Sequence, residues 1–405
     1  MYLRRDDGLM ERIDAVVQSY PWGSRTLIAE LMGEASPSAR PQAEAWFGAH
    51  PLAPSKVGGR PLTDVIADDP AAALGAAAEL AEGTLPFLLK ILAAAEPLSL
   101  QAHPTLEQAR EGFAAENERG IPPTAPHRNY RDANHKPELI VALTRFDALA
   151  GFRPVERTKE LFDELAIPEL GHYTVLLDAP SPVEGLRALF TTWLTLPSRV
   201  LGDLVERVRA ACEAYEGDGW VGEVAATTAD IASRYPGDPG VLASMLLNRI
   251  TLEPGEGIYL GAGQLHAYLS GMGVEIMANS DNVLRGGLTS KHVDVVELLR
   301  VLDFTPAEDP VVRPVVDGAV ASYPTGADEF RLARVTVEAG EGIEVPSTGA
   351  TIVLVVEGAA ELSSDGGDVR LAPGRAAWVP ASESRRELRA VGGGAAEAFV
   401  ASVPD

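Results

Sequence analysis

The chain has 405 residues, 46% of them apolar, with 39 Gly, 30 Pro and a formal net charge of −24, which is too long for one core and calls for two or three structural units. So acidic a surface excludes nucleic acid as a partner, because phosphate backbones are repelled by it. The longest apolar stretch, residues 85–100, is interrupted by Pro86, Lys90, Glu96 and Pro97 and is too short to cross a bilayer.

The N-terminus, with Arg4, Arg5, Asp6, Asp7, Glu11 and Arg12, lacks the apolar run of a signal peptide. With a single cysteine, Cys212, the chain forms no internal disulfide, and a cytoplasmic location is expected. Residues 1–100 mix turns with short strands and one Ala-rich helix near 71–82. Residues 97–145 carry strand-like runs separated by a polar insertion, 105–128. From about 154 to 248 the spacing becomes helical: 155–165, 183–196, 200–215 and 221–235 each repeat apolar residues every three or four positions. Strand signals return at 258–260 and 274–277, a helix is predicted at 293–302, and beyond 310 short strands alternate with Gly and Pro turns.

The pattern predicts a mainly β protein with an inserted helical domain. Pro254-Gly255-Glu256-Gly257-Ile258-Tyr259-Leu260-Gly261-Ala262 aligns without a gap on Pro373-Gly374-Arg375-Ala376-Ala377-Trp378-Val379-Pro380-Ala381, which points to two related β units. The first copy runs on to His266, and the second has Arg385 at that place, which cannot ligate a metal.

Three segments carry chemistry. In Leu98-Ser99-Leu100-Gln101-Ala102-His103, strand alternation places Ser99, Gln101 and His103 on one face; a half-exposed edge strand gives the same row. In Asn134-His135-Lys136-Pro137-Glu138-Leu139, Asn134, Lys136 and Glu138 share a face at the start of an apolar strand, where charge is costly unless it has partners or a task. The third, 254–292, has the spacing of the second cupin motif at Gly255, Gly261, Gly263 and His266, with Gly261 where proline is usual. It puts His266 beside Tyr268, and Glu275, Asp281, Asn282, Arg285 and Lys291 follow, with 280–289 read as an ordered loop. Gln101, His103, Glu138 and His266 together offer N and O ligands suited to a divalent cation, zinc first and iron as competitor. Only five of the 34 basic residues are lysines, and three of them, Lys90, Lys136 and Lys291, fall in or beside these segments.

These segments resemble the signatures of type I phosphomannose isomerases. Tyr20-Pro21-Trp22-Gly23, Glu44-Ala45-Trp46-Phe47-Gly48 and Leu85-Pro86-Phe87-Leu88-Leu89-Lys90 are similar to N-terminal stretches of that family, so the resemblance runs in order from about residue 15 to 305. It implies two cupin-type (jelly-roll) β-barrels plus an α-helical domain. Residues 1–150 and 249–315 would form the catalytic cupin domain, 151–248 the helical insertion, and 316–405 a metal-free C-terminal barrel. It also implies one Zn2+ per chain on Gln101, His103, Glu138 and His266, and Arg285 acting in catalysis. Ser99, Lys90, Lys136, Glu275, Tyr268, Asp281 and Lys291 would line a sugar-phosphate pocket. The implied reaction interconverts mannose 6-phosphate and fructose 6-phosphate through an enediol, with Glu275, Lys136 and His135 as alternative bases. A monomer without nucleic-acid or membrane partners is expected. An iron-dependent cupin oxygenase and a non-catalytic sugar-binding cupin are the competing readings.

Overall fold

The computed structural model describes residues 10–404, so the charged residues Arg4, Arg5, Asp6 and Asp7 lie outside it. The molecule is mainly β-sheet with a helical region between residues 155 and 244. Among the described residues no helix is long and apolar enough to cross a membrane.

The sheet that carries the chemistry has eleven strands. Those that matter here are β1 (Glu44–Gly48), β2 (Phe87–Ala94), β3 (Leu100–Ala102), β4 (Glu138–Ala142), β5 (Phe146–Phe152), β6 (Leu247–Leu252), β7 (Gly257–Leu260), β8 (His266–Ala278) and β9 (Leu284–Gly287). The 13-residue β8 holds them together. Its C-terminal half pairs with β2 and β4, while its start pairs with β5 and β3, the ladder shifting between Tyr268 and Ser270. One strand therefore pairs with four others and brings residues from all of them together.

A second sheet has nine strands and a third has four. The N-terminal strand Glu11–Asp14 joins the nine-stranded sheet, pairing with Arg375–Val379 from the far end of the chain. The two sequence echoes adopt the same local form, a turn with a left-handed glycine (Gly255 at φ 92°, Gly374 at φ 74°) that feeds a strand. Arg385 lies exposed beside Glu387, 3.1 Å away.

The helical segments lie close to their predicted places: α2 (Val155–Leu165), α3 (Pro182–Leu194), α4 (Ser198–Ala214) and α5 (Gly219–Arg234), followed by a short α6 (Pro239–Ser244). Their apolar faces share one core with Phe152, Leu247 and Leu265 of the sheet region. Three expectations change. The polar insertion holds a helix, α1 (Leu106–Glu118), whose N-cap Thr105 and Gln108 exchange bonds in a capping box, a signature present in the sequence. The Ala-rich helix is two short helices, Pro70–Leu74 and Ala77–Leu80, split at Gly75, whose φ of 62° cannot continue a right-handed helix. The loop 280–289 contains β9, because Leu284 and Arg285 find backbone partners in Ala102 and Gln101.

Candidate metal centre

His103 follows β3, Glu138 opens β4 and His266 opens β8. All three are buried. Each imidazole directs its Nδ1–H to a backbone carbonyl, His103 to Asn282 O at 2.7 Å and His266 to Gln264 O at 2.9 Å. A carbonyl can only accept, so the proton sits on Nδ1 and the Nε2 lone pair points the other way. Both Nε2 atoms face the same carboxylate oxygen, Glu138 Oε2, at 3.3 and 3.4 Å. None of these three buried atoms has a hydrogen-bond partner. Three acceptors converging with no donor between them repel one another, and a bound cation resolves that conflict. Two imidazoles and a carboxylate suit zinc. Among the described residues this is the one cluster of three His, Cys, Asp or Glu spaced to hold an ion.

The charges follow from the same geometry. His103 is held neutral: burial pushes its pKa down to about 4, with Lys136 adding to the push and Glu138 opposing it. Burial disfavours the Glu138 anion, yet Lys136, its Nζ 2.8 Å from Oε1, keeps that carboxyl well below the usual range. Gln101 sits directly across the ladder from His266 and lines the same cleft.

Behind the ligands lies a buried ion network. Lys90 opposes Glu275 in the β2–β8 ladder and Trp46 in the β1–β2 ladder. Its Nζ is 2.8 Å from Glu275 Oε2 and 3.8 Å from Glu44 Oε1. Tyr268 OH donates to Glu275 Oε1 at 3.0 Å, and Trp46 Nε1 donates to Glu44 Oε2 at 2.6 Å. Burial raises the Glu275 pKa against the pull of Lys90, with Glu138 and Glu44 adding to the rise. Burial works against the Lys90 ammonium, but Glu275 and Glu44 hold its pKa above the ordinary value.

All of this faces one cleft of about 570 Å³, which Ser99, Gln101, Lys90, Lys136, Glu138, Tyr268, Glu275, Asp281, Arg285 and Lys291 line. His103 and His266 lie buried behind its wall. His135 does not line it, being paired with Glu329 instead. Four residues of the wall, Glu44, Trp46, His50 and Arg131, were not singled out as site residues from the sequence. Glu44 and Trp46 alternate on one strand and so were detectable as a face; His50 and Arg131 had no periodic signal. His50 Nε2 lies 3.7 Å from Asp281 Oδ1. Among the described residues Arg131, Arg285 and Lys291 have no carboxylate within ion-pair distance, and they press on one another. Burial and Arg131 lower the Arg285 pKa; burial, Arg285 and Arg131 lower that of Lys291.

Asn282 positions this wall. Its Oδ1 accepts from the Arg131 N–H at 2.7 Å, and its Nδ2 donates to the carbonyls of Asp132 and Asn134 at 2.9 and 2.8 Å. One fully buried amide thus ties the loop 131–134, which leads to Lys136 and Glu138, to the carbonyl that orients His103.

Residues 10–155 match the family described as phosphomannose isomerase type I, catalytic domain. The chain is 38% identical to the mannose-6-phosphate isomerase of Escherichia coli (strain K12) over 93% of its own length and 96% of that protein's. It is 32% identical to the human mannose-6-phosphate isomerase over 85% and 87% of the two lengths. Among solved structures it is similar to a mannose 6-phosphate isomerase bound with zinc and yttrium, at a TM-score of 0.88 and 36% identity, covering 98% of this chain and 100% of that one. The chain belongs to the type I phosphomannose isomerase family.

Proposed function

We propose that this chain is a zinc-dependent aldose–ketose isomerase that interconverts mannose 6-phosphate and fructose 6-phosphate. The observation that carries the reading is the meeting of three unpartnered acceptors, His103 Nε2, His266 Nε2 and Glu138 Oε2, at the wall of a cleft that Glu138, Arg131, Arg285 and Lys291 line. The ligand set is His103, His266, Glu138 and Gln101, the last supported by its place across from His266. Zinc held there supplies Lewis acidity toward the sugar oxygens at C1 and C2.

The chain's own residues supply the rest. Moving the carbonyl requires a proton to leave C2 and one to arrive at C1 by way of an enediol. Glu275 and Lys136 both line the cleft and are the groups we assign to proton transfer; the raised proton affinity of Glu275 is the direction a base needs near neutrality. Arg285 is assigned to the negative charge that builds on oxygen during transfer. Arg131 and Lys291 supply uncompensated positive charge for the phosphate, which a chain of net charge −24 must concentrate locally. Ser99, Lys90, Tyr268 and Asp281 complete the substrate wall. An iron-dependent oxygenase gives these three cations no task.

The matching turns at Gly255 and Gly374 support reading the two β units as cupin-type barrels. On that reading 1–150 with 249–315 form the catalytic unit, 151–248 the helical insertion, and 316–405 the second barrel, to which Glu11–Asp14 lends a strand. The acidic chain and lone Cys212 support a cytoplasmic enzyme.

A coupled assay that follows fructose 6-phosphate formed from mannose 6-phosphate tests the function. Chelation should abolish turnover and zinc restore it, and His266→Ala should lose both metal and turnover. Undiminished activity after complete metal removal, confirmed by elemental analysis, rules out the zinc reading.

A further inference from the structure

A second cavity, of about 430 Å³, opens where the helical region meets the sheet and shares no lining residue with the metal cleft. Arg153 lies in its wall, only 3% exposed, just after β5. Its Nη1 and Nη2 donate to the carbonyls of Met245 and Leu247 at 2.9 and 2.6 Å, and its backbone N–H to that of Leu246 at 2.7 Å. The residue therefore clips the entry of the helical region to its exit. Those bonds satisfy polar hydrogens; they do not neutralise the charge.

Arg157, in the first turn of α2, stands beside it. The Cζ atoms of Arg153 and Arg157 lie 5.4 and 4.3 Å from the ring centroid of Trp220, which fixes the two guanidinium groups around one indole. Among the described residues neither has a carboxylate within ion-pair distance, although like charges this close repel and Glu223 and Glu308 also line the cavity. The third arginine of the wall, Arg249, is already paired, with Asp147 at 3.0 Å and Glu223 at 3.3 Å. The cavity also receives the N-terminus of α2, whose cap residue Pro154 offers no side-chain acceptor. First-turn N–H groups and the positive end of that 11-residue helix add to the same field.

We infer that the cavity walled by Arg153, Arg157 and Trp220 is an anion site that takes the phosphoryl group of a small phosphorylated metabolite, separate from the metal cleft. A phosphate monoester carries between about one and a half and two negative charges at neutral pH, which matches two unpaired guanidinium groups. The planar fork of arginine is suited to phosphoryl oxygens. The volume leaves room for the body of a metabolite beyond the phosphoryl group itself.

Inorganic phosphate is the probe, titrated calorimetrically into the zinc-loaded full chain at fixed ionic strength. The wild type should bind one phosphate per chain more than Arg157→Gln does, or bind it at least about tenfold more tightly. The KM for mannose 6-phosphate should be the same in both. Arg153→Met should lose the same phosphate; because Arg153 is buried, its circular dichroism is recorded first, and if that variant does not fold the exposed Arg157→Gln decides alone. Equal stoichiometry and affinity in wild type and Arg157→Gln overturn the assignment. So does a KM that rises with the lost phosphate, since that places the loss in the metal cleft.

Discussion

His103 is oriented by Asn282, 179 residues further along the chain: the Nδ1–H of the imidazole meets the Asn282 carbonyl at 2.7 Å, while the Asn282 side chain holds the segment that leads to Glu138. Two of the three converging residues are thereby positioned by a residue that does not itself line the cleft.

Asn282→Ala should therefore weaken zinc binding without removing a ligand. Groups that orient metal ligands commonly contribute about tenfold to a hundredfold in affinity, and leaving the N–H of Arg131 and the carbonyl of Asp132 without partners should cost stability as well. Competition against a chelator of known affinity measures the first effect and thermal unfolding the second. A variant that unfolds at a lower temperature but holds zinc as tightly as wild type would show that the clamp is structural only.

Arg285 and Arg131 share a cleft but should fail differently. Arg285→Ala is expected to keep its zinc and lose turnover by about a hundredfold to a thousandfold, as removal of a group that stabilises developing charge does. Arg131→Ala should act mainly on binding, raising KM by about tenfold to a hundredfold. Steady-state kinetics on metal-replete protein separates kcat from KM. Loss of zinc from Arg285→Ala, or an unchanged KM in Arg131→Ala, contradicts these assignments.

The metal-free chain should lose stability as the medium is acidified from neutrality. The His103 pKa is about 4 in the folded state against 6.5 ordinarily. Between those values the unfolded chain takes up a proton that the folded chain refuses. The stabilisation is thus complete above about pH 6.5 and is withdrawn as pH falls toward 4, by a few kcal/mol. The depressed pKa of Glu138 acts in the same direction at lower pH. Thermal unfolding of chelated protein at about pH 7 and about pH 5 measures the drop, which should be smaller in His103→Gln. An equal drop in both proteins would place the acid sensitivity elsewhere.

Much of this was legible in the sequence because it is local. The four long helices declared themselves through spacing of three and four residues, and the helix over 155–165 begins and ends where that spacing does. Alternation along β3 and β8 put Gln101 with Ser99, and His266 with Tyr268, before any fold was known, and the Lys136–Glu138 pair lies on adjacent positions of one face. The capping box at Thr105 is equally local, although the segment it opens is polar.

What the chain alone could not disclose is which faces meet. Lys90 and Glu275 stand opposite each other only because β2 and β8 pair in one register, and a shift of a single residue would turn each side chain to the other side of the sheet. His50 and Arg131 reach the cleft from loops, His135 turns from it to Glu329, and Arg153 and Arg157, at the start of α2, meet Trp220 of α5. Periodicity is written in residues a few positions apart. Electrostatic partnership depends on a few ångströms of space between residues that can be 185 positions apart in the chain, and that distance is set by the packing of whole sheets and helices.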